Sequence, residues 1–456
     1  MRALEVMFYT ILLWTVIVLG LPVAGAGCLL SVKLRKTAVK RLGFSHAALP
    51  CFSGKPIWIH ALSVGEVRSA APLARRLYKN DPARSIVFSV STLTGFQMAQ
   101  KELPELSKNI FFFPYDVTFL IKKVLNKINP RLVVIVETDI WPHFVSEVKR
   151  RGIPLILVNA RLSDGSFAGY SRFRFFFKKL FSHFSAIAVQ SDLDAARFKS
   201  LGVPSENISV AGNLKFDQPF DAQEGARAQA IARKMGLAPG QKIFLAGSVH
   251  KGEEPLILDL FKRLRRMDPN LFMMMATRDP GRAGGARRLF EEAGFSSVFL
   301  SEAARAESAK DGHVNGKKWG NGKKWDAAFV DRIGWLRGLY ALADAAFVGG
   351  SLVKKGGQNP LEPAAFSKPI IFGSDMSDFA EISAKLLENG GALQVHDADG
   401  LYDAAKALLS DPEKARRVGT KAHEVFVGNQ GALDRALRLI GRWGADHQND
   451  DRSLGR

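Results

Sequence analysis

Residues 345–363, AAFVGGSLVKKGGQNPLEP, contain the pattern that decides the fold. The apolar run at 345–350 predicts a buried strand, which leads into a glycine-rich loop and a helix start. Asn359 is a good N-cap, Pro360 suits the first helical position, and Glu362 falls in the first turn. This order is typical of parallel α/β folds, where free N–H groups at a helix N-terminus can hold a phosphate. An ordinary capped helix without a ligand is the equally weighted alternative.

The same alternation of short apolar runs with helical stretches continues along most of the chain. It predicts two parallel sheets, each covered by helices on both faces. Strands of the first sheet are predicted at 57–60, 86–90, 132–136, 155–158, 187–189 and 208–211. Strands of the second sheet are predicted at 243–246, 271–276, 297–300, 327–330, 345–348, 369–372 and 393–395.

A break in this alternation near 216–222 divides the chain into domains. We predict an N-terminal membrane anchor at 1–35, a Rossmann-like domain at 36–217, a second one at 218–440 and a polar tail at 441–456. Two consecutive Rossmann-like domains predict a ligand cleft between them.

Two stretches interrupt the regular pattern. Residues 302–324 are poor in apolar residues and repeat the letters GKKW, which favours an exposed insertion loop over a membrane-contacting one. Residues 170–181 mix six aromatic residues with four cations. This second stretch fits a helix that buries its phenylalanines and, equally well, a segment that meets anionic lipid headgroups.

The composition describes a foldable and basic protein. Apolar residues make up 47% of the chain and charged residues 24%, as in ordinary globular domains. Lys and Arg outnumber Asp and Glu by 64 to 44, and the resulting charge of +20 suits an anionic partner. Cys28 and Cys51 are too few for a disulfide framework or a cysteine-rich zinc site. No nucleic-acid recognition module is visible, so we expect no nucleic acid as partner.

The N-terminal segment 6–30 is an apolar run of 25 residues without a charge, long enough to span a bilayer. Arg2 and Glu5 precede it, whereas five cations follow between 33 and 41, so the positive-inside rule places the rest of the chain in the cytoplasm. The alternative is a secretory signal cleaved near the small residues 24–27, which the downstream cations disfavour. We therefore expect an inner-membrane protein with one uncleaved anchor.

Three polar residues that follow predicted strands are candidates for chemistry. Glu66 follows strand 57–60, although its spacing from Ser63 also fits a helix capping box. Glu137 closes strand 132–136, and the carboxyl edge of an open α/β sheet is where such folds bind ligands. Its alternative is a solvated loop carboxylate. Lys215 follows the run at 208–211, where a lone lysine is usually a surface residue.

Six motifs, in order, resemble those of the transferases that attach 3-deoxy-D-manno-octulosonic acid (Kdo) to the lipid A precursor, glycosyltransferase family 30. They are SVGE at 63–66, VETDIWP at 136–142, NARLSD at 159–164, GNLKFD at 212–217, AGS at 246–248 and FVGGSLV with GGQNPLEP between 347 and 363. The resemblance runs from about residue 5 to residue 440. It implies an inverting GT-B enzyme that moves Kdo from CMP-Kdo to lipid IVA in lipopolysaccharide core synthesis.

The resemblance also implies roles for individual residues. Glu66 matches the family's catalytic base, and Glu137 and Lys215 match positions assigned to transition-state stabilisation. The family's CMP contacts match three segments, namely Thr277 and Arg278; Ile333, Gly334 and Trp335; and Asn359, Pro360, Leu361 and Glu362.

Three segments depart from the family pattern. The family usually has Pro-Arg-His at 277–279, Met-Gly-Glu at 333–335 and Thr-His-Glu at 249–251, where this chain has TRD, IGW and VHK. Trp335 thus replaces an acid in the expected nucleotide pocket, where backbone contacts would survive the change and a side-chain contact would not.

No histidine or cysteine cluster and no convincing Asp-x-Asp loop is visible in the sequence. The CMP-Kdo donor has a single phosphate, so we expect a metal-independent reaction without a cofactor. Two alternatives share the same features: a GT-B enzyme using a UDP-sugar on another lipid carrier, and a membrane-tethered binding protein that has lost catalysis. The change at Trp335 is the best support for the inactive alternative, and the presence of Glu66, Glu137, Lys215 and Glu362 argues against it.

Overall fold

The structure, a computed structural model, describes residues 37–44, 49–52, 54–81, 85–217, 222–305, 313–314, 317–318 and 325–444. The chain groups into two compact units, divided between 219 and 220 and again between 428 and 429. The predicted anchor at 1–35 lies outside the described residues, as does the predicted tail from 445 on, whereas the first residues of that tail, 441–444, belong to a helix. Within the described ranges, no helix combines the length and the apolar character needed to cross a membrane.

In the part of the chain that the structure describes, the first unit has a sheet of seven parallel strands covered by helices. The strands are β1 (Ile57–His60), β2 (Ile86–Val90), β3 (Ile110–Phe112), β4 (Leu132–Val136), β5 (Leu155–Ala160), β6 (Ala186–Val189) and β7 (Ile208–Val210). The helices are α1 (Val64–Asn80), α2 (Leu93–Glu102), α3 (Thr118–Ile128), α4 (Pro142–Arg150), α5 (Asp164–Arg172), α6 (Arg174–Phe181), α7 (Asp192–Ser200) and, at the far end of the chain, Ala432–Gly444. The strand order is β3-β2-β1-β4-β5-β6-β7.

Alternation of side chains along the strands explains why helices cover both faces of this sheet. Ile57 and Ile59 of β1 belong to one apolar cluster, whereas Trp58 between them belongs to the cluster on the opposite face. Val134 and Val133 of β4 divide in the same way. Successive side chains of a strand point to opposite faces, so a run that is apolar at every position requires cover on both.

The second unit repeats this plan with β8 (Ile243–Val249), β9 (Phe272–Thr277), β10 (Ser297–Phe299), β13 (Ala327–Val330), β14 (Ala345–Val348), β15 (Ile370–Phe372) and β16 (Ala392–Gln394). Two short strands, β11 (His313–Val314) and β12 (Lys317–Lys318), pair separately with each other. The sheet order is β10-β13-β9-β8-β14-β15-β16, and its described pairings are parallel. Its helices are α8 (Ala222–Lys234), α9 (Glu254–Met267), α10 (Ala283–Glu292), α11 (Leu300–Arg305), α12 (Leu336–Leu339), α13 (Leu361–Ala365), α14 (Ala380–Glu388), α15 (Ala398–Ser410) and α16 (Pro412–Gly428).

The predicted pair of parallel α/β sheets is confirmed, and the structure corrects three details. The edge strand β3 was missed, because a strand of three residues shortly before a proline is a weak strand signal. Residues 302–305 belong to helix α11, and β11 with β12 gives the predicted loop at 302–324 some pairing. The predicted second domain extends to 440, but the helix Ala432–Gly444, α17, packs on the first unit.

Helix α17 joins the first unit through its apolar face. Ala432, Ala436 and Ile440 lie in the same cluster as the strands of the first sheet. Both oxygens of Asp217 accept hydrogen bonds at the start of this helix, from the N–H groups of Gly431 and Leu433, each at 2.7 Å. Helical periodicity shows that a helix has an apolar face but not which sheet it covers, which is why the boundary was predicted wrongly.

Candidate functional site

The chain order of the first sheet reverses between β1 and β4, and this is the place where open α/β sheets bind ligands. The two strands pair in register, with His60 opposite Ile135, so the residues that follow them meet at one edge. Glu66 follows β1, and Glu137 and Asp139 follow β4. The structure therefore brings the predicted acids together at the carboxyl edge of the first sheet.

Glu66 is half-buried at the start of helix α1. Its Oε2 accepts hydrogen bonds from the N–H groups of Leu62 and Ser63, the latter at 3.2 Å. Glu66 therefore caps the start of the helix, as the spacing from Ser63 predicted. Its Oε1 accepts no hydrogen bond from any residue that the structure describes. Burial first, then repulsion from Glu137 and Asp139, raises the pKa of Glu66 from 4.5 to about 8, although the two backbone hydrogen bonds act in the opposite direction.

Asp139 ends a polar chain that starts in the core. The Trp58 Nε1–H donates to Ser89 Oγ at 2.8 Å, and Ser89 Oγ lies 2.8 Å from His60 Nδ1. His60 Nε2 in turn lies 2.8 Å from Asp139 Oδ2, which also accepts from Trp141 Nε1 at 2.9 Å. An indole can only donate and a carboxylate can only accept, so Trp58 donates to Ser89 and a proton on His60 Nε2 satisfies the link to Asp139. This chain fixes the orientation of a carboxylate beside Glu66.

Asn159 connects Glu137 with the turn that carries Lys215. Its Nδ2 donates to Glu137 Oε1 at 3.4 Å, while its Oδ1 accepts from the N–H of Leu214 at 2.9 Å. Asn213 steadies the same turn, because its Oδ1 accepts from the N–H of Lys215 at 3.0 Å. Glu137 itself has a left-handed backbone with φ of 62°. A non-glycine residue takes this conformation at a cost and is often held so at a functional site.

The second sheet reverses its order between β8 and β14, and cations gather where these strands end. His250 follows β8, and burial is the main reason that its pKa is lowered; Arg278 and Lys355 lower it further, while Glu253 acts in the opposite direction. The N–H of Arg278 donates to the carbonyl of Val249 at 2.9 Å, which places the end of β9 against the end of β8. This edge is therefore suited to an anionic ligand.

The predicted CMP-binding segments occupy the carboxyl edge of the second sheet. Thr277 is buried and Arg278 is exposed at the end of β9. Ile333 is 71% exposed beyond β13, Gly334 has φ of 97°, and Trp335 packs partly against the core. Glu362 lies close enough to the buried Tyr340 to contribute, after burial itself, to raising the pKa of that phenol.

The helix after the glycine loop differs from the prediction. Pro360, not Asn359, is the N-cap, and helix α13 has only 5 residues. Asn359 Oδ1 accepts from the N–H of Leu361 at 3.1 Å, and the loop N–H groups of residues 350–352 donate to Glu253. At the helix start the N–H of Leu361 is thus used within the protein, the N–H groups of residues 350–352 are used at the beginning of the loop, and so short a helix has a weak dipole.

Similarity to known proteins agrees with this arrangement. A family model described as 3-deoxy-D-manno-octulosonic-acid transferase (kdotransferase) matches residues 36–218. The chain is also 33% identical to a 3-deoxy-D-manno-octulosonic acid transferase of Haemophilus influenzae, across 95% of this chain and 97% of that protein. It belongs to the Kdo transferase family. A 3-deoxy-D-manno-octulosonic acid transferase from Chlamydophila psittaci is 30% identical to this chain. The alignment covers 90% of this chain and 90% of that protein.

Solved structures relate this Kdo transferase family member to a wider fold. The UDP-GlcNAc 2-epimerase of Neisseria meningitidis aligns with a TM-score of 0.55 and 14% identity, over 85% of this chain and all of that one. This likeness shows the fold alone, which consists of two parallel-sheet α/β domains as in GT-B glycosyltransferases. In this family member, no group of three or more His, Cys, Asp or Glu side chains from the described residues is arranged to hold a metal ion.

Sequence reasoning missed several residues that support the site. Asn159 and Asn213 stand in motifs that were recognised, but no role was given to them. His60 was taken only as the end of a strand, and Glu253 received no role. A usable signal exists in each case, because these polar residues end a strand or follow one within a few residues at the carboxyl edge.

Proposed function

We propose that this protein transfers Kdo from CMP-Kdo to the lipid A precursor, lipid IVA, in lipopolysaccharide core synthesis, with inversion at the anomeric carbon. Membership of the Kdo transferase family supports Kdo transfer. The observation that supports the mechanism is Glu66, a carboxylate with a pKa of about 8 and one unoccupied oxygen among its described surroundings.

Glu66 is proposed as the general base. Its Oε1 would accept the proton of the attacking acceptor hydroxyl while Oε2 remains held by the two backbone N–H groups of Leu62 and Ser63. A base works best when its pKa lies near the operating pH, because it is then both available and strong. Burial first, and then repulsion from Glu137 and Asp139, keeps the proton affinity of Glu66 high. Lys215 would compensate negative charge that develops as the donor reacts.

The donor side requires groups that stabilise a departing phosphate. Arg278, His250 and Lys355 supply positive charge or N–H donors at the carboxyl edge of the second sheet. Glu362 would accept hydrogen bonds from the ribose, and backbone contacts at 333–335 would survive the presence of Trp335. Because CMP-Kdo has one phosphate, we propose that these groups suffice without a metal or another cofactor.

The membrane is the proposed location of the reaction. Segment 6–30 would anchor the chain in the inner membrane, with both catalytic domains on the cytoplasmic side. Phe173 and Phe175 are 50% and 68% exposed beside Arg172 and Arg174, an arrangement suited to anionic lipid headgroups. A periplasm-only reporter fused after residue 456 should give no signal, and an active reporter would contradict this topology.

A product analysis tests the proposed reaction. Membranes containing the full chain are incubated with lipid IVA and either CMP-Kdo or UDP-sugars, and the products are weighed by mass spectrometry. Addition of Kdo from CMP-Kdo alone supports the proposal. Transfer from a UDP-sugar would favour another GT-B activity, and absence of any product would favour a binding protein.

Variants then test the base. Glu66→Gln should lower the rate of transfer by about 10²-fold or more, the usual scale for loss of a general base. Glu105→Gln, at an exposed carboxylate, is the matched control and should keep the wild-type rate. Near-normal turnover by the Glu66 variant would remove this residue from the mechanism.

A further inference from the structure

Glu253 lies where the order of the second sheet reverses, between the ends of β8 and β14. It is fully buried, and its two oxygens accept four backbone hydrogen bonds. Oε2 accepts from the N–H groups of His250 at 2.8 Å and Gly350 at 2.7 Å. Oε1 accepts from those of Ser351 at 3.2 Å and Leu352 at 3.1 Å. One carboxylate thus joins the loop after β8 to the glycine loop after β14.

This arrangement changes what the glycine loop can do. The N–H groups of residues 350–352 all point at a protein carboxylate, so they cannot also bind the phosphate of a ligand. A carboxylate has about four acceptor positions, and all of them are used here. Glu253 therefore occupies, from inside the protein, the position that a bound phosphate takes in a loop with free N–H groups.

The loop is also packed too closely for other residues. A Cβ on Gly349 would lie 2.6 Å from the carbonyl oxygen of Ser248. Gly350 has φ of 71°, and a Cβ there would lie 2.9 Å from His250 Cδ2. The glycines therefore serve a close approach between the two loops, and the hydrogen bonds to Glu253 maintain it.

The loop after β8, which Glu253 holds in place, is in contact with the predicted donor-binding segments. His250 Nε2 lies 3.2 Å from Gln358 Nε2, and Gln358 precedes Asn359 of the predicted CMP contacts. The N–H of Arg278 is bonded to Val249, which precedes His250. Any shift of the loop after β8 would move His250 and the backbone partner of Arg278 together.

We infer that Glu253 is a positioning residue of the donor site, which sets the place of His250 and of the glycine loop so that side chains rather than loop N–H groups meet the donor phosphate. This inference rests on the proposed use of CMP-Kdo. It assigns Glu253 no contact with the substrate, so its loss should affect donor binding through the two loops and leave acceptor binding unchanged.

The neighbouring Glu254 offers a matched control. It is also buried, but it accepts from the N–H of Gly252 at 2.9 Å and from Arg282 Nε at 3.0 Å, away from the glycine loop. Glu253→Gln keeps the shape of the side chain but replaces one acceptor oxygen by an NH₂ group that faces N–H groups. Glu254→Gln makes the same chemical change without touching the loop after β14.

Steady-state kinetics of the full chain in detergent test the inference. Glu253→Gln should raise KM for CMP-Kdo by about tenfold or more, the scale of leaving a buried N–H without an acceptor, with KM for lipid IVA unchanged. Calorimetry should show the same loss in affinity for CMP. Glu253→Asp, which restores the charge, should recover part of the affinity. Glu254→Gln should leave the donor KM within about twofold of wild type, because Glu254 accepts no hydrogen bond from the loop after β14 and any loss there falls on Gly252 and Arg282 instead.

The kinetic results separate the role of Glu253 from the proposed function. Equal donor KM and CMP affinity in the two glutamine variants would overturn the inference while leaving the proposed function intact. A wild-type protein that neither binds CMP nor uses CMP-Kdo would overturn the proposed function, and the inference with it. If Glu253→Gln fails to fold, Gln358→Leu replaces it: this variant removes the contact with His250, and an unchanged donor KM would then overturn the inference.

Discussion

Replacing Glu66 by glutamine should stabilise the protein, and the gain should grow with pH. In the folded protein the pKa of Glu66 is raised from 4.5 to about 8, so folding makes it harder to ionise. Below about pH 4.5 the side chain is protonated in both states and imposes no penalty. As pH rises from 4.5 towards 8, the unfolded chain releases the proton while the folded chain keeps it, and folded stability falls. Above about pH 8 the penalty stays constant.

The size of the gain follows from the distance between the two pKa values. Each pH unit between the unfolded pKa of 4.5 and the folded pKa of about 8 lowers the free energy of unfolding by about 1.4 kcal/mol. At pH 7, which is 2.5 units above 4.5, the penalty is therefore about 3 kcal/mol. By the same relation it is about 5 kcal/mol at pH 9 and about 1 kcal/mol at pH 5. Glutamine mimics the protonated side chain and still offers an oxygen to the N–H groups of Leu62 and Ser63, so it should remove the penalty.

Thermal unfolding of the full chain in detergent measures this effect. For a unit of this size, each kcal/mol of added stability raises Tm by about 2–4 °C. Glu66→Gln should therefore raise the Tm of the first unit's unfolding transition by roughly 6–12 °C at pH 7. The gain should shrink to about 2–4 °C at pH 5 and be largest near pH 9. Glu105→Gln should show no such trend. A gain that does not change with pH, or a loss of stability at pH 9, would refute the raised pKa.

The neighbours of Glu66 and the donor side supply the other tests. Asp139→Asn removes a charge that raises the pKa of Glu66 but keeps an oxygen for His60. The pKa of Glu66 should therefore fall, and the rising limb of kcat/KM plotted against pH should move to lower pH. An unmoved limb would argue against this coupling. Glu362→Ala should raise KM for CMP-Kdo and leave KM for the lipid acceptor nearly unchanged, whereas the reverse would place the nucleotide elsewhere. Excess EDTA should not change the rate with a well-dispersed acceptor, and a loss that magnesium or manganese restores would mean that a metal holds the leaving group.

Much of the fold could be predicted because strands that are buried on both faces read as continuous apolar runs. The predicted bounds of β1, β2, β4, β13 and β14 agree with the structure to the residue. Their carboxyl ends then located Glu66 and Glu137 at one sheet edge, since parallel strands share an edge by geometry. Helix α17 could not be assigned in this way, because its contact with the first unit depends on tertiary packing far along the chain.

The polar supports of the site were harder to predict for a different reason. Asn159 acts through two hydrogen bonds to residues 22 and 55 positions away, and no local pattern carries that information. His60 and Ser89 are partners only because β1 and β2 lie side by side. Such side-chain networks depend on which strands are neighbours, and the order of strands in a sheet is not written in the periodicity of each strand.

Two Gly-Glu pairs, Gly65-Glu66 and Gly252-Glu253, show why the sequence alone could not separate base from support. Each follows the first strand of its sheet and each glutamate accepts backbone N–H groups at a reversal of strand order. Burial first, and then two neighbouring carboxylates, make Glu66 hold a proton strongly, and because its two N–H partners share one oxygen it keeps the other for a substrate. Glu253 receives four bonds over both oxygens and has no acceptor position left for a ligand. The number of N–H groups that reach a carboxylate, and the charges around it, therefore decide whether it is fitted to remove a proton or to hold a loop.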